Sequence, residues 1–245
     1  MSLNIALIGY GRMGKEIAQH AKDKGHRIIS TFDISHPPSV STIDSKTDVF
    51  IDFSIPEAVL PNLEIVASSG KPVVIGTTGW YDHLKQVQAL VEKTNIASIY
   101  ASNFSLGMNI FFKIVENASS LFNKFDEYDP FIHEIHHRMK IDSPSGTGRL
   151  LGTILLGNIK RKNQLFFERS EGQILPNRLH VTSTRSGNVP GTHLVGFDSA
   201  ADTIELKHTA RNRSGFAIGA LYAAEWIIGK KGLFSINDML KEIFE

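Results

Sequence analysis

Residues 9–14 read Gly9-Tyr10-Gly11-Arg12-Met13-Gly14, and they constrain this chain more than any other feature. The apolar run Ile5 to Ile8 enters the turn as a buried strand. Met13 to Lys24 leaves it as a helix, with Ile17, Ala18 and Ala21 at helical spacing and Gly25 as the stop. Each glycine in such a strand–turn–helix has its own task. The first permits the tight turn, the second lets backbone N–H groups approach a pyrophosphate, and the third lets helix and strand pack closely. The helix N-terminus then faces the phosphates with its partial positive charge, and Arg12 adds a formal one. A second strand, Arg27 to Phe32, ends at Asp33, about twenty residues past the turn, where a carboxylate reaches ribose hydroxyls. Gly9, Tyr10, Gly11, Arg12, Met13, Gly14 and Asp33 are therefore expected to bind a dinucleotide. The Asp33 carboxylate repels a 2′-phosphate, and Ile34, Ser35 and His36 follow it in place of an arginine. NADH is the expected cofactor, with NADPH the alternative.

The same alternation continues. Asp48–Ser54, Pro72–Gly76 and Ala97–Tyr100 read as strands, with helices at Pro56–Ser68 and Tyr81–Glu92 between them. Strands that alternate with helices predict a Rossmann-type, doubly wound parallel sheet. After Asn103 the pattern changes. A helix from Ser105 to Phe122 is followed by a strand, Pro130–His136, a histidine-rich loop, and a helix over Thr147–Ile159. Leu179–Thr209 reads as antiparallel strands, with turn signals at Ser186-Gly187-Asn188 and Asp198-Ser199. A helix over Phe216–Ile228 stops at Gly229, and Ser235–Asp238 caps a short last one. The expectation is an α/β chain with a dinucleotide domain over 1–103 and a second, α+β domain with a mixed or antiparallel sheet over 104–214. Residues 215–245 would pack back onto the first. Phe111, Phe112 and Trp226 read as core or interface.

Composition removes several classes of function. The 245 residues include no cysteine, which excludes disulfides, thiol nucleophiles and cysteine metal sites. A net charge of +1 supplies no long-range attraction to nucleic acid or an anionic membrane. No apolar run approaches the roughly 18 residues of a membrane span. The start lacks a basic leader and a small-residue cleavage site, so the expected location is the cytoplasm.

Chemistry concentrates in Glu134-Ile135-His136-His137-Arg138-Met139-Lys140-Ile141-Asp142-Ser143-Pro144-Ser145-Gly146-Thr147. The Ser-Gly-Thr turn opens a helix and offers N–H groups and hydroxyls to an anion. Lys140 and the histidines offer positive charge and protons near neutral pH. A small dicarboxylate fits that set. Strand alternation puts Phe131, His133 and Ile135 on one face and Ile132, Glu134 and His136 on the other. His133, His136, His137 and Glu134 are also a candidate metal set. The partners of the cluster, however, are a lysine and an anion-binding turn, so no metal is expected.

The chain resembles the 4-hydroxy-tetrahydrodipicolinate reductase (dihydrodipicolinate reductase) family over nearly its whole length. The likeness rests on Gly-Arg-Met-Gly at the first turn, Ile51-Asp52-Phe53-Ser54, Gly76-Thr77-Thr78-Gly79 and Ala101-Ser102-Asn103-Phe104-Ser105. It continues through the His-His to Ser-Gly-Thr block, Pro190-Gly191-x-His193 and His208-x-x-x-x-Arg213. The resemblance implies reduction of the ring substrate by NADH or NADPH in the diaminopimelate route to lysine. It implies His136 as the active-site histidine, Lys140 as proton donor, and His137, Ser145, Gly146 and Thr147 as substrate-binding residues. It also implies cofactor contacts from Gly76, Thr77, Thr78 and from Ala101, Ser102, Asn103 and Phe104, and a homotetramer built through the second domain's sheet. Closure about Asn103–Ser105 and Ser214–Phe216 would bring ring and nicotinamide together. The first turn is one residue shorter than in many members, and Thr192 stands where many carry an acid. Arg211 and Arg213 read equally well as solvated charge. The rivals are another two-domain dehydrogenase, such as one acting on aspartate, and a non-catalytic NAD(P)H sensor.

Overall fold

The computed structural model describes residues 2–244. It contains two compact units, Met1–Leu106 with Arg213–Glu245, and Gly107–Asn212. In the first unit, β1 (Asn4–Ile8), β2 (Arg27–Phe32), β3 (Val49–Asp52), β4 (Val73–Ile75), β5 (Ala97–Tyr100) and β11 (Gly232–Ser235) form a parallel, Rossmann-like sheet. Their order is β11-β5-β4-β3-β1-β2. Strands β1, β3 and β4 are buried on both faces, which explains their unbroken apolar runs. Two apolar clusters cover the two faces of the sheet. One packs α1 (Arg12–Asp23) and α6 (Ser214–Trp226), and the other α2 (Pro56–Ser68) and α3 (Leu84–Thr94). The order reverses between β1 and β3. Loops leaving neighbouring strands part at such a reversal and open a crevice at the strands' carboxyl ends.

The second unit packs α4 (Leu106–Phe122) and α5 (Gly146–Asn158) on one face of a five-stranded sheet of order β10-β9-β6-β8-β7. Its strands are β6 (Asp129–His136), β7 (Gln164–Phe166), β8 (Arg178–Arg185), β9 (Thr192–Asp198) and β10 (Thr203–Thr209). Leu179–Thr209 is not wholly antiparallel as expected. β9 and β10 form a hairpin, but β6 lies between β8 and β9, and β8 runs parallel to β6. The Ser186-Gly187-Asn188 turn does not close a hairpin. It ties back to the end of β6, with Ser186 N–H donating to the His136 carbonyl and Arg138 N–H to that of Gly187.

β6 alternates as its sequence suggests: Pro130, Ile132, Glu134 and His136 are buried, while Phe131, His133 and Ile135 are half-buried on the other face. β7 and β11 are strands that the sequence did not announce. The last helix, α7 (Ile236–Phe244), begins at a cap in which Ser235 N–H and Oγ both donate to Asp238 Oδ2 at 2.7 Å. No helix of the described residues is long and apolar enough to cross a membrane.

Candidate active site

In the first unit every candidate cofactor residue follows a strand at the carboxyl edge of the parallel sheet. Gly9 has φ +88°, and a Cβ there would strike the Phe53 carbonyl. A Cβ on Gly14 would strike the Gly9 carbonyl oxygen, so these two glycines are required by packing alone. Gly11 differs. It is the exposed N-cap of α1, with open space where a Cβ would stand, and the first turn of that helix holds no acidic residue. Tyr10 and Arg12 are exposed, and Met13 packs against the core. A cradle that is open, free of negative charge and headed by N–H groups fits a pyrophosphate. Asp33, at the end of β2, is exposed. Its Oδ1 accepts from Ser35 N–H (2.8 Å) and His36 N–H (2.9 Å). The His36 and Ser35 N–H groups hold its carboxyl below the usual range.

The Gly76–Thr78 loop hangs on the buried Asp52. Gly76 and Thr77 N–H groups donate to the Asp52 carbonyl, and Thr77 Oγ1 donates to Asp52 Oδ1 at 3.1 Å. Ala101 N–H donates to the Ile75 carbonyl, Asn103 Oδ1 accepts from Ser105 N–H, and Phe104 is buried with its ring 6.3 Å from that of Phe53. Ser102 and Thr78 are exposed.

In the second unit, strand register builds the site. One cross-strand row on the inward face reads Val181, Ile132, Val195 and Leu206. It is apolar and belongs to the core. The next inward row reads Ser183, Glu134, His193 and His208, and beyond it Arg185 lies beside His136. The covered face thus turns from hydrophobic to polar within two residues. Glu134 is fully buried and accepts from Ser145 N–H (2.9 Å), Ser145 Oγ, Ser183 Oγ (3.0 Å) and Arg185 Nη2 (2.9 Å). His193 Nε2 stands 3.5 Å from its Oε2 and His136 Nδ1 3.7 Å from its Oε1. Burial pushes the Glu134 carboxyl up, but the hydrogen-bonding groups of His136, His193 and Ser145 outweigh it and leave the carboxyl far below its ordinary range. His208 is lowered by burial and by the charge of His193.

His136 is thus brought to the Ser145 turn through a residue that the site prediction omitted. Ser145 caps α5 by accepting from Gly148 N–H (3.1 Å). Gly146 is exposed and Thr147 half-buried at the start of that helix. His137 is half-buried, its carbonyl accepts from Lys140 N–H, and Lys140 Nζ pairs with Asp142 Oδ1 at 2.7 Å. Arg185 Nη2 also donates to the Asp142 carbonyl. The candidate metal set does not assemble as read: His133 is on the opposite face, with Nδ1 2.7 Å from Thr182 Oγ1. Glu134, His136 and His193 instead place possible ligand atoms within 4.8 Å of one another. Thr192 is buried, with Oγ1 donating to Thr209 Oγ1, and Arg211 and Arg213 are exposed. Glu134, Ser183, Arg185 and His193 were the omissions. Alternation along β6 was the available signal for Glu134, because it puts that acid on the covered face.

Two family models match the chain: "Dihydrodipicolinate reductase, N-terminus" over residues 3–104 and "Dihydrodipicolinate reductase, C-terminus" over residues 107–240. The 4-hydroxy-tetrahydrodipicolinate reductase of Christiangramia forsetii is 41% identical over 99% of this chain and 100% of its own length. That of Archaeoglobus fulgidus is 36% identical over 94% of this chain and 96% of its own. Among solved structures, the dipicolinate-bound dihydrodipicolinate reductase of Paenisporosarcina sp. TG-14 has a TM-score of 0.76 at 24% identity, covering 96% of this chain and 98% of that one.

Proposed function

The chain belongs to the dihydrodipicolinate reductase family, and from that premise we propose how its residues divide the work. It is an NAD(P)H-dependent oxidoreductase that reduces 4-hydroxy-tetrahydrodipicolinate to tetrahydrodipicolinate, in the diaminopimelate route to lysine. The bound nicotinamide supplies the hydride. The Gly9–Gly14 turn holds the pyrophosphate on N–H groups, and Asp33 accepts from the ribose hydroxyls, which favours NADH over NADPH. Gly76, Thr77 and Thr78, with Ala101 to Phe104, line the nicotinamide end.

His137, Gly146 and Thr147 bind the substrate carboxylates. Ser145 assists by fixing the turn, since its own hydroxyl is committed to Glu134 and Gly148. Once the 4-hydroxyl has left as water, hydride addition to the conjugated ring puts negative charge on a ring carbon, to which Lys140 Nζ delivers a proton, and His136 orients Lys140 or a water beside it. The observation that carries this division is the meeting of His136 and the Ser145 turn on one buried carboxylate.

Oxidation of NADH and NADPH by the protein with 4-hydroxy-tetrahydrodipicolinate tests the activity. Lys140→Ala tests the roles. We expect kcat to fall by about 10²–10⁴-fold with NADH affinity retained, and an unimpaired kcat would remove Lys140 from the reaction. We further propose a homotetramer joined through the outward sheet face, where Phe131, Ile135 and Leu194 are half-buried, and a cytoplasmic location.

A further inference from the structure

We propose that Glu134 is a positioning residue: its buried carboxylate fixes the proton on Nε2 of His193 and on Nδ1 of His136, and so sets which ring nitrogen each histidine presents. The inference deepens the reading above, because it concerns the histidine assigned there.

The two histidines face the carboxylate on different oxygens and through different ring nitrogens: His136 Nδ1 does so by charge alone, since it is buried without a hydrogen-bond partner, and His193 Nε2 also lies 3.3 Å from Ser145 Oγ. His193 faces Oε2 with Nε2, and His136 faces Oε1 with Nδ1. An ionised carboxylate only accepts, so a neutral ring beside it keeps its proton on the facing nitrogen. The free lone pairs then lie on His193 Nδ1 and His136 Nε2. The two rings are edge to face, 5.1 Å apart at 73°, so the remaining nitrogens point differently. His136 Nε2 lies against Gly191, where a Cβ would be 3.1 Å away.

The surroundings keep the carboxylate charged and still. Arg185 Nη2, Ser183 Oγ and Ser145 N–H all donate to Oε1, and Ser145 Oγ donates to Oε2. A Cβ on Gly148 would come within 2.7 Å of Oε2, so glycine there leaves the carboxylate its place. Arg185 also argues against a divalent cation among Glu134, His136 and His193. Its guanidinium is 2.9 Å from Oε1 and already supplies the positive charge that a metal would bring.

Histidine ring-nitrogen NMR on the substrate-free protein at about pH 8.5 decides the matter. We expect His193 protonated on Nε2 and His136 on Nδ1. The opposite tautomer, or a doubly protonated ring, at either residue overturns the proposal. Glu134→Gln gives the second test. Oε1 accepts from three donors and Oε2 from the Ser145 hydroxyl, which can rotate, so the new amide NH2 takes the Oε2 position and faces Ser145 Oγ and His193. We expect His193 to switch to the Nδ1–H tautomer and kcat to fall about 10- to 100-fold, with NADH affinity unchanged. An unswitched His193 or an unchanged kcat counts against the assignment. If that variant does not fold, the wild-type spectrum still decides. Failure of the Lys140 prediction would remove the proton-donor role while leaving the tautomers as stated, so the two ideas fail separately.

Discussion

Asp52 at the end of β3 and Glu134 near the end of β6 are both almost wholly buried, at 2% and 0% exposure, yet burial leaves them on opposite sides of the ordinary carboxyl range. For Asp52 desolvation prevails. Ser54 N–H, Asn62 Nδ2 and Thr77 Oγ1 donate to it, but its pKa remains raised. For Glu134 desolvation is also the largest single effect, and the groups around it reverse the sign. The difference lies in the neighbours. The first unit surrounds its acid with neutral dipoles, whereas the second adds a guanidinium and two imidazoles. In the division of work proposed above, the first unit holds its ligand chiefly on backbone N–H groups. In the same proposal the second unit holds an anion beside a proton donor, on a donor set organised around the Glu134 charge.

Removing each acid is the strongest way to break this comparison. Glu134→Ala strands Arg185 without its buried partner and should cost about 3–5 kcal/mol. Asp52→Asn should raise stability at neutral pH by less than about 1 kcal/mol, because the Asn62 amide can flip to accept from the new NH2. The pH dependence follows from the signs. A lowered pKa gives Glu134 a stabilising contribution that is complete above its ordinary 4.5 and is lost as pH falls below it. A raised pKa makes charged Asp52 a burden at neutral pH, relieved as pH falls toward its ordinary 3.8. Thermal midpoints of Glu134→Gln and Asp52→Asn, measured from neutral pH downward, should therefore approach wild type from opposite sides. Shifts in the same direction would mean that the two carboxylates do not differ as described.

A smaller effect sharpens the first unit's half of the comparison. Gly9→Ala places a Cβ against the Phe53 carbonyl at φ +88°, and the dihedral alone costs about 1–3 kcal/mol. Gly11→Ala meets open space, so its stability should stay within about 1 kcal/mol of wild type, while NADH affinity falls about tenfold as the methyl fills the phosphate cradle. Thermal midpoints and NADH fluorescence titration separate the two. Equal losses of stability would show that the cradle is shaped by packing and not reserved for a ligand.

The same contrast decides what was legible in the sequence. A turn shaped by backbone records itself as glycine, so the first turn and the alternating strands were readable from local pattern. β11 was not, since Leu233 and Phe234 follow a glycine stop closely and become a strand only by pairing with β5. The antiparallel expectation for β8 failed because turn residues mark a reversal without saying which strand the chain meets next. The histidine–lysine block was readable as a block, but the part played by Glu134 was not. Its partners Ser183 and Arg185 lie 49 and 51 residues away in sequence and reach it only through strand register.

Asp33 gives the smallest expected effect and tests the one acidic charge among the proposed cofactor residues. The His36 and Ser35 N–H groups lower its pKa, so it stays ionised throughout the working range and cannot neutralise itself to admit a 2′-phosphate. Both bonds use Oδ1, which leaves Oδ2 to meet ribose hydroxyls. Asp33→Ser keeps an acceptor for the loop and removes the charge. The ratio of kcat/KM for NADH to that for NADPH should fall by about tenfold, near 1.4 kcal/mol. The effect is modest because Asp33 is exposed and its repulsion is screened by water and salt, unlike the enclosed charge of Glu134. An unchanged ratio would mean that Asp33 does not read the ribose, and that the first unit discriminates between its cofactors without any fixed charge at that place.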